Sequence, residues 1–105
     1  MTFTVDFDGT LCEDRFPEIG EENYSRISAV KQLIAGGHKI ILWTCRNGQS
    51  LEDAVTWCKD RGLVFDAVNE NIPEVKEKWG GDTRKVYCDF YIDDKNLKDT
   101  FLDLK

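Results

Sequence analysis

Apolar positions along this chain alternate between two rhythms. The opening run "TFTV" is β-branched and aromatic and stops at "DFDGT", which predicts a strand feeding a turn. In "NYSRISAVKQLIAGG", Ile27, Val30, Leu33 and Ile34 recur at helical spacing, and the pattern stops at Gly36 and Gly37, so a first helix is predicted there. "HKIILWT" is continuously apolar, as in a strand buried on both faces of a parallel sheet. "SLEDAVTWCKDRG" predicts a second helix, with Ser50 as N-cap, Asp53 three residues on, an apolar stripe of Leu51, Ala54, Val55 and Cys58, and Gly62 as its stop. "VFDAV" predicts a short third strand and Pro73 to Trp79 a short helix ended by Gly80 and Gly81. "KVYCDFYIDD" predicts a fourth strand, and "LKDTFLDL" a last helix or short strand.

Alternation of strand and helix predicts an α/β fold, a three-layer Rossmann-like parallel sheet flanked by helices. In such sheets the working crevice lies at the carboxyl ends of the strands. The unusual polar residues fall there: Asp6 and Asp8 end the first strand, Thr44 and Arg46 the second, Asn69 to Asn71 the third, Asp93 and Asp94 the fourth. Asp6 and Asp8 are two positions apart, so on a continuing strand they share a face and could share one cation.

At 105 residues the chain predicts a single domain, residues 1–105, with one core. A net charge of −6 excludes general nucleic-acid binding, which needs Lys and Arg to neutralise phosphates. An anionic substrate would need local compensation, from a divalent metal held by carboxylates and from cations such as Arg46 and Lys85. The sequence shows no apolar run of bilayer-spanning length and no basic-then-apolar leader, so the expectation is a cytoplasmic protein that does not enter the membrane. Cys12, Cys45, Cys58 and Cys88 form no C-x-x-C pair, and His38 is the one histidine, so zinc spacing is absent and the cysteines read as reduced, packed thiols.

With these motifs in order, the chain resembles the haloacid dehalogenase superfamily of phosphohydrolases. "DFDGT" is similar to that family's D-x-D-x-T motif, Thr44 in "ILWTCR" to its second motif, and the acidic pair of "YIDD" to its fourth. Lys85 in "DTRKVYCDFYIDD" is the choice for the third-motif lysine, with Lys76, Lys78 and Arg84 as competitors. "DFYIDD" with a nearby lysine looks most like the deoxyribonucleotidase branch. The resemblance runs from Val5 to Asp94, and the segment Leu11 to Asn23 is too short for the folded cap domain that family members commonly insert there, which implies a small, capless, open site.

The resemblance implies a magnesium-dependent phosphatase working through an aspartyl-phosphate. Asp6 would be the nucleophile and Asp8 the general acid and base. Asp6, the backbone carbonyl of Asp8, and Asp93 would hold Mg2+, with Asp94 behind them. Thr44 would bind a phosphoryl oxygen, and Lys85 would bridge Asp6 and the phosphate. Gly9, Thr10, Cys45 and Arg46 would face the substrate, with Gly9 letting the backbone pass closely beneath the phosphoryl group. The substrate would be a small phosphorylated metabolite, a nucleotide or a phosphosugar, although an open site could equally accept a phosphorylated macromolecule.

Two other classes compete. One is a signalling receiver domain, which also uses aspartates, a threonine and a lysine on a parallel sheet, but carries its acidic pair on the first strand rather than the last. The other is a catalytically silent phosphate-binding module. A haloalkanoate dehalogenase is disfavoured because that branch lacks the second acid of the first motif.

Overall fold

The computed structural model of the chain describes residues 1–82 and 85–96. The element expected over residues 97–104, and Arg84, lie outside the described residues. The elements run β1 (Thr2–Val5), β2 (Cys12–Arg15), β3 (Glu18–Glu22), α1 (Tyr24–Ala35), β4 (Lys39–Leu42), α2 (Gly48–Asp60), β5 (Ala67–Val68), α3 (Pro73–Trp79) and β6 (Phe90–Ile92).

The main sheet is parallel with strand order β5-β4-β1-β6. From β1 the chain steps through α1 to β4 and through α2 to β5 on one side, then returns through α3 to β6 on the other. Because such crossovers are right-handed, α1 and α2 fall on one face and α3 on the opposite face. The packing agrees. Ile40 and Leu42 join Ile27 and Val30 of α1 and Ala54 and Cys58 of α2 in one buried cluster. Ile41, pointing the other way on the same strand, packs with Ala67, Ile72, Val86 and Val75 of α3. This is why "KIIL" is apolar without alternation. Each such side chain contributes about 1.5–3 kcal/mol of burial.

Local chemistry sets the element ends. Asn23 caps α1, its Oδ1 accepting from the Arg26 N–H at 3.1 Å. The second helix starts earlier than expected: Asn47, not Ser50, is the N-cap, and the Ser50 hydroxyl donates to the Asn47 carbonyl at 2.8 Å. The third and fourth strands are shorter than the sequence predicts because side chains take over the ladder. The Ile40 N–H donates to Asp66 Oδ2 (2.8 Å), and the Thr2 N–H to Asp89 Oδ2 (2.7 Å). Of the tryptophans, Trp57 sets its ring edge-on to Phe7 and Trp43 packs on the α3 face, whereas Trp79 is exposed.

The segment Leu11 to Asn23, too short for a folded cap, holds a β-hairpin. β2 and β3 pair antiparallel with an irregularity between Cys12 and Asp14, and Phe16 and Pro17 form the turn. A two-stranded hairpin is marginal by itself.

Candidate active site

β1 and β6 are neighbours in the sheet, at the place where the direction of winding reverses and where open α/β sheets part to form a crevice. Val5 pairs with Ile92, and the Asp6 N–H donates to the Ile92 carbonyl at 3.0 Å. Asp6 and Asp93 therefore leave the sheet side by side. Asp6, Asp93 and Asp94 each offer an oxygen within 4.8 Å of the others. Burial, reinforced by the Asp93 charge, pushes Asp6 up to about 6, against the hydrogen bonds from Thr10 and the Phe7 backbone that favour its charged form. Three carboxylates converging this closely repel one another, and oxygen donors of this kind suit a hard divalent cation.

Two turn residues fix that convergence. The Thr10 hydroxyl donates to Asp6 Oδ2 at 3.1 Å and accepts from the Asp94 N–H at 3.1 Å, joining the two strand ends through one oxygen. Gly9 has φ +85°, and a Cβ there would stand 2.3 Å from Asp94 Oδ2. The backbone must lack a side chain at this point for the Asp94 carboxylate to sit where it does.

The second feature is Arg46, whose side chain is 1% exposed. Its Nε donates to Asp8 Oδ2 and its Nη2 to Asp8 Oδ1, both at 2.8 Å. Nη1 donates to the carbonyls of Pro17 (3.1 Å) and Ser50 (3.2 Å), and Nη2 also to that of Glu18 (2.9 Å). All five N–H donors of the guanidinium are thereby used. Its carbon lies 5.1 Å from the ring centres of both Phe7 and Phe16. Hydrogen bonding to Asp8 pushes Arg46 above its ordinary value. One side chain thus ties the turn after β1, the tip of the hairpin and the first turn of α2 together.

A cleft of about 320 Å³ opens between these parts, lined by Asp6, Asp8, Asp93, Asp94, Arg46 and Cys45, and by three residues that the sequence reading did not single out, Asp14, Phe16 and Lys95. The Lys95 ammonium is 4.0 Å from Asp94 Oδ2. Lys95 directly follows the acidic pair, which was the signal available for it, whereas "RFPE" carries no Gly or Asn mark of a hairpin turn.

Several expected roles are revised by these positions. Thr10, expected to face the substrate, is fully buried with its hydroxyl engaged by Asp6 and Asp94. Gly9 makes room for Asp94. Arg46 is a fully engaged brace instead of an open substrate contact, because its donors are all directed into the protein. The Asp8 carboxylate, which the two-residue spacing let share a cation with Asp6, falls outside the three-carboxylate cluster and is held by Arg46, and Asp94 stands in that cluster beside Asp93. The Thr44 hydroxyl accepts from the Arg46 N–H at 3.2 Å, and the Thr44 N–H donates to Asn69 Oδ1 at 2.7 Å. Cys45, read as a packed thiol and, from the resemblance, as facing the substrate, is exposed on the cleft, whereas Cys12 and Cys58 are buried, and burial pushes their thiols up to about 11 and about 12. Lys85 lines a separate groove with Val75, Trp79, Gly81 and Tyr87. Its competitor Lys76 pairs with Glu70 at 3.1 Å.

Fold and site together define an α/β protein with a carboxylate cluster at the switch point of a parallel sheet. No family model matches the chain, and no curated protein does. A solved structure of a conserved protein from Bacteroides thetaiotaomicron is similar, with 42% identity, a TM-score of 0.82, and coverage of 98% of this chain and 85% of that one. At that identity and coverage the chain belongs to the same family as the Bacteroides protein, whose description as a conserved protein names no activity. Among the described residues no helix is long and apolar enough to cross a membrane.

Proposed function

We propose that the chain is a magnesium-dependent phosphohydrolase of the haloacid dehalogenase type that cleaves phosphate monoesters through an aspartyl-phosphate on Asp6. The observation that carries this reading is the convergence of Asp6, Asp93 and Asp94 at the ends of adjacent strands. A divalent cation would offset three carboxylates brought this close, and magnesium takes carboxylate oxygens while keeping sites for water and phosphate. Held by Asp6, Asp93 and Asp94, it would supply the positive charge that lets an anionic ester approach.

In the proposed reaction an Asp6 oxygen attacks phosphorus and the bond to the leaving oxygen breaks. Asp8 gives that oxygen a proton. Water then attacks the acyl phosphate, Asp8 takes the water's proton, and phosphate leaves with Asp6 regenerated. Arg46, bonded to both Asp8 oxygens, holds the carboxyl in line. Thr44, at the end of the neighbouring strand, and Lys95, on the rim, are the side chains proposed to meet the phosphoryl group.

The test is hydrolysis of p-nitrophenyl phosphate by the purified protein. Turnover that needs magnesium and is lost in Asp6→Asn is expected; activity surviving that substitution overturns the assignment.

A second reading, a phosphate-binding module without turnover, draws on the Asp8–Arg46 pair, since both Asp8 oxygens are already engaged. Phosphate binding with no hydrolysis across a broad panel of esters would favour it. The receiver alternative is disfavoured by topology. Receivers place the first strand between the second and third, whereas here β1 lies between β4 and β6, the second and fourth strands of the parallel sheet.

A further inference from the structure

Phe16 stands at the tip of the hairpin, 59% exposed, and lines the same cleft as Asp6, Asp8 and Asp93. A free hairpin tip would leave this ring mobile. This tip is not free. The Pro17 and Glu18 carbonyls that follow the ring accept hydrogen bonds from Arg46 Nη1 and Nη2 at 3.1 and 2.9 Å. The guanidinium also lies 5.1 Å from the ring centre. The Phe16 N–H is turned towards Asp14 Oδ1, which also borders the cleft. An aromatic ring whose backbone is fixed in advance loses little freedom when a ligand packs on it, which is the condition for a stacking platform. The same residue that braces Asp8 therefore sets the ring at a fixed place relative to the carboxylates.

Resting on the phosphohydrolase reading, we propose that Phe16 is the specificity-determining residue of the site, stacking on a ring in the leaving group of the phosphate monoester. The shared chemistry is a ring with an apolar face, the π face of a nucleobase or the C–H face of a pyranose. Base–aromatic stacking is sequence-tolerant, and its removal by alanine weakens binding by about tenfold. A pyranose would use its C–H face on the same ring. A cleft of about 320 Å³ is at the low end of small-ligand pockets and suits one such group.

The experiment compares the full chain with Phe16→Ala and Phe16→Tyr, in magnesium, on three esters: a nucleoside 5′-monophosphate, a hexose phosphate and ring-free glycerol phosphate. Steady-state kinetics and calorimetric titration are run on each. The wild type should prefer at least one ring-bearing ester over glycerol phosphate by about tenfold or more in kcat/KM. Phe16→Ala should erase that ratio through KM, and Phe16→Tyr should keep it. Preference for the nucleotide assigns a base as the stacking group, and preference for the hexose phosphate a sugar. If no ester turns over but the ring-bearing ligand binds more tightly and loses that advantage in Phe16→Ala, the stacking site stands and the hydrolase reading falls. A ratio unchanged in Phe16→Ala, a Tyr variant as impaired as the Ala variant, or a wild type with no preference in turnover or binding overturns the inference.

Discussion

Asp8 and Arg46 face each other as a fork: both carboxylate oxygens accept from the guanidinium, each at 2.8 Å, with the arginine sealed from solvent. A buried pair of this geometry is weak evidence for net stability compared with an apolar replacement. Its importance here lies in what else the arginine holds, because the carbonyls of Pro17, Glu18 and Ser50 depend on the same group.

Removing Arg46 should therefore be costly. Arg46→Met takes the donor from Asp8 and from the Pro17 and Glu18 carbonyls, and a loss of about 3–5 kcal/mol is expected, the range for breaking one side of a buried pair. Arg46→Lys should recover little, since an ammonium cannot span the fork. Urea unfolding of the two variants against wild type measures this; a lysine variant as stable as wild type would show that charge alone, without the planar geometry, is sufficient.

Gly9→Ala should disturb the carboxylates from a distance of one side chain. The new Cβ would meet Asp94 Oδ2 at 2.3 Å, and the residue would be held at φ +85°. Left-handed backbone alone costs about 1–2 kcal/mol for a non-glycine residue. The expected outcome is lower thermal stability together with a smaller magnesium-induced rise in Tm than wild type shows. An unaltered magnesium response would mean that Asp94 has no part in holding the ion.

The elevated Asp6 makes a pH prediction with a definite sign. Its folded value of about 6 lies above the ordinary 3.8, so between those limits the folded chain binds more protons than the unfolded one. The stabilisation from this proton is full below about pH 4 and is lost as pH rises through about 6. Without metal, the Asp6 contribution should thus weaken from pH 4 to pH 7. A divalent cation competes with that proton, so millimolar magnesium should raise Tm more at pH 7 than at pH 5. Equal shifts at the two pH values would count against Asp6 as a ligand.

By the same logic Asp6→Asn should make the metal-free protein more heat-stable at pH 7 while removing activity. The amide relieves the repulsion from Asp93 and can still accept from the Thr10 hydroxyl. Sites kept for chemistry commonly trade stability in this way. Melting curves without metal test it, and a destabilised Asn variant would argue against crowding at this site.

Thr10→Val keeps the shape of a fully buried side chain but deletes the oxygen shared by Asp6 and the Asp94 N–H. Leaving a buried polar group unsatisfied costs about 1–3 kcal/mol. Stability should fall by that order, measured by chemical denaturation, with weaker magnesium binding.

The α/β alternation, the apolar run of β4 and the acids at the strand ends could be read directly, because burial on two faces and termination in turns leave local marks in a sequence. Asp6, Asp93 and Asp94 were legible for that reason: strand-end position is a one-dimensional property, and parallel pairing brings such ends together. The hairpin was not legible, since "CEDRFPEIGEE" has little apolar alternation and its strands are held by a residue far along the chain. Nor was the use of Arg46. A guanidinium beside a strand end looks the same whether it faces solvent or a carboxylate, and only folding set it between Asp8, Phe7 and Phe16. The sequence by itself determined which carboxylates could meet, because their spacing from the strands is covalent. Tertiary structure alone decided which of them meet, Asp94 joining the cluster over the bare Gly9 backbone and Asp8 being drawn away, because that choice depends on hydrogen bonds between segments some 38 residues apart.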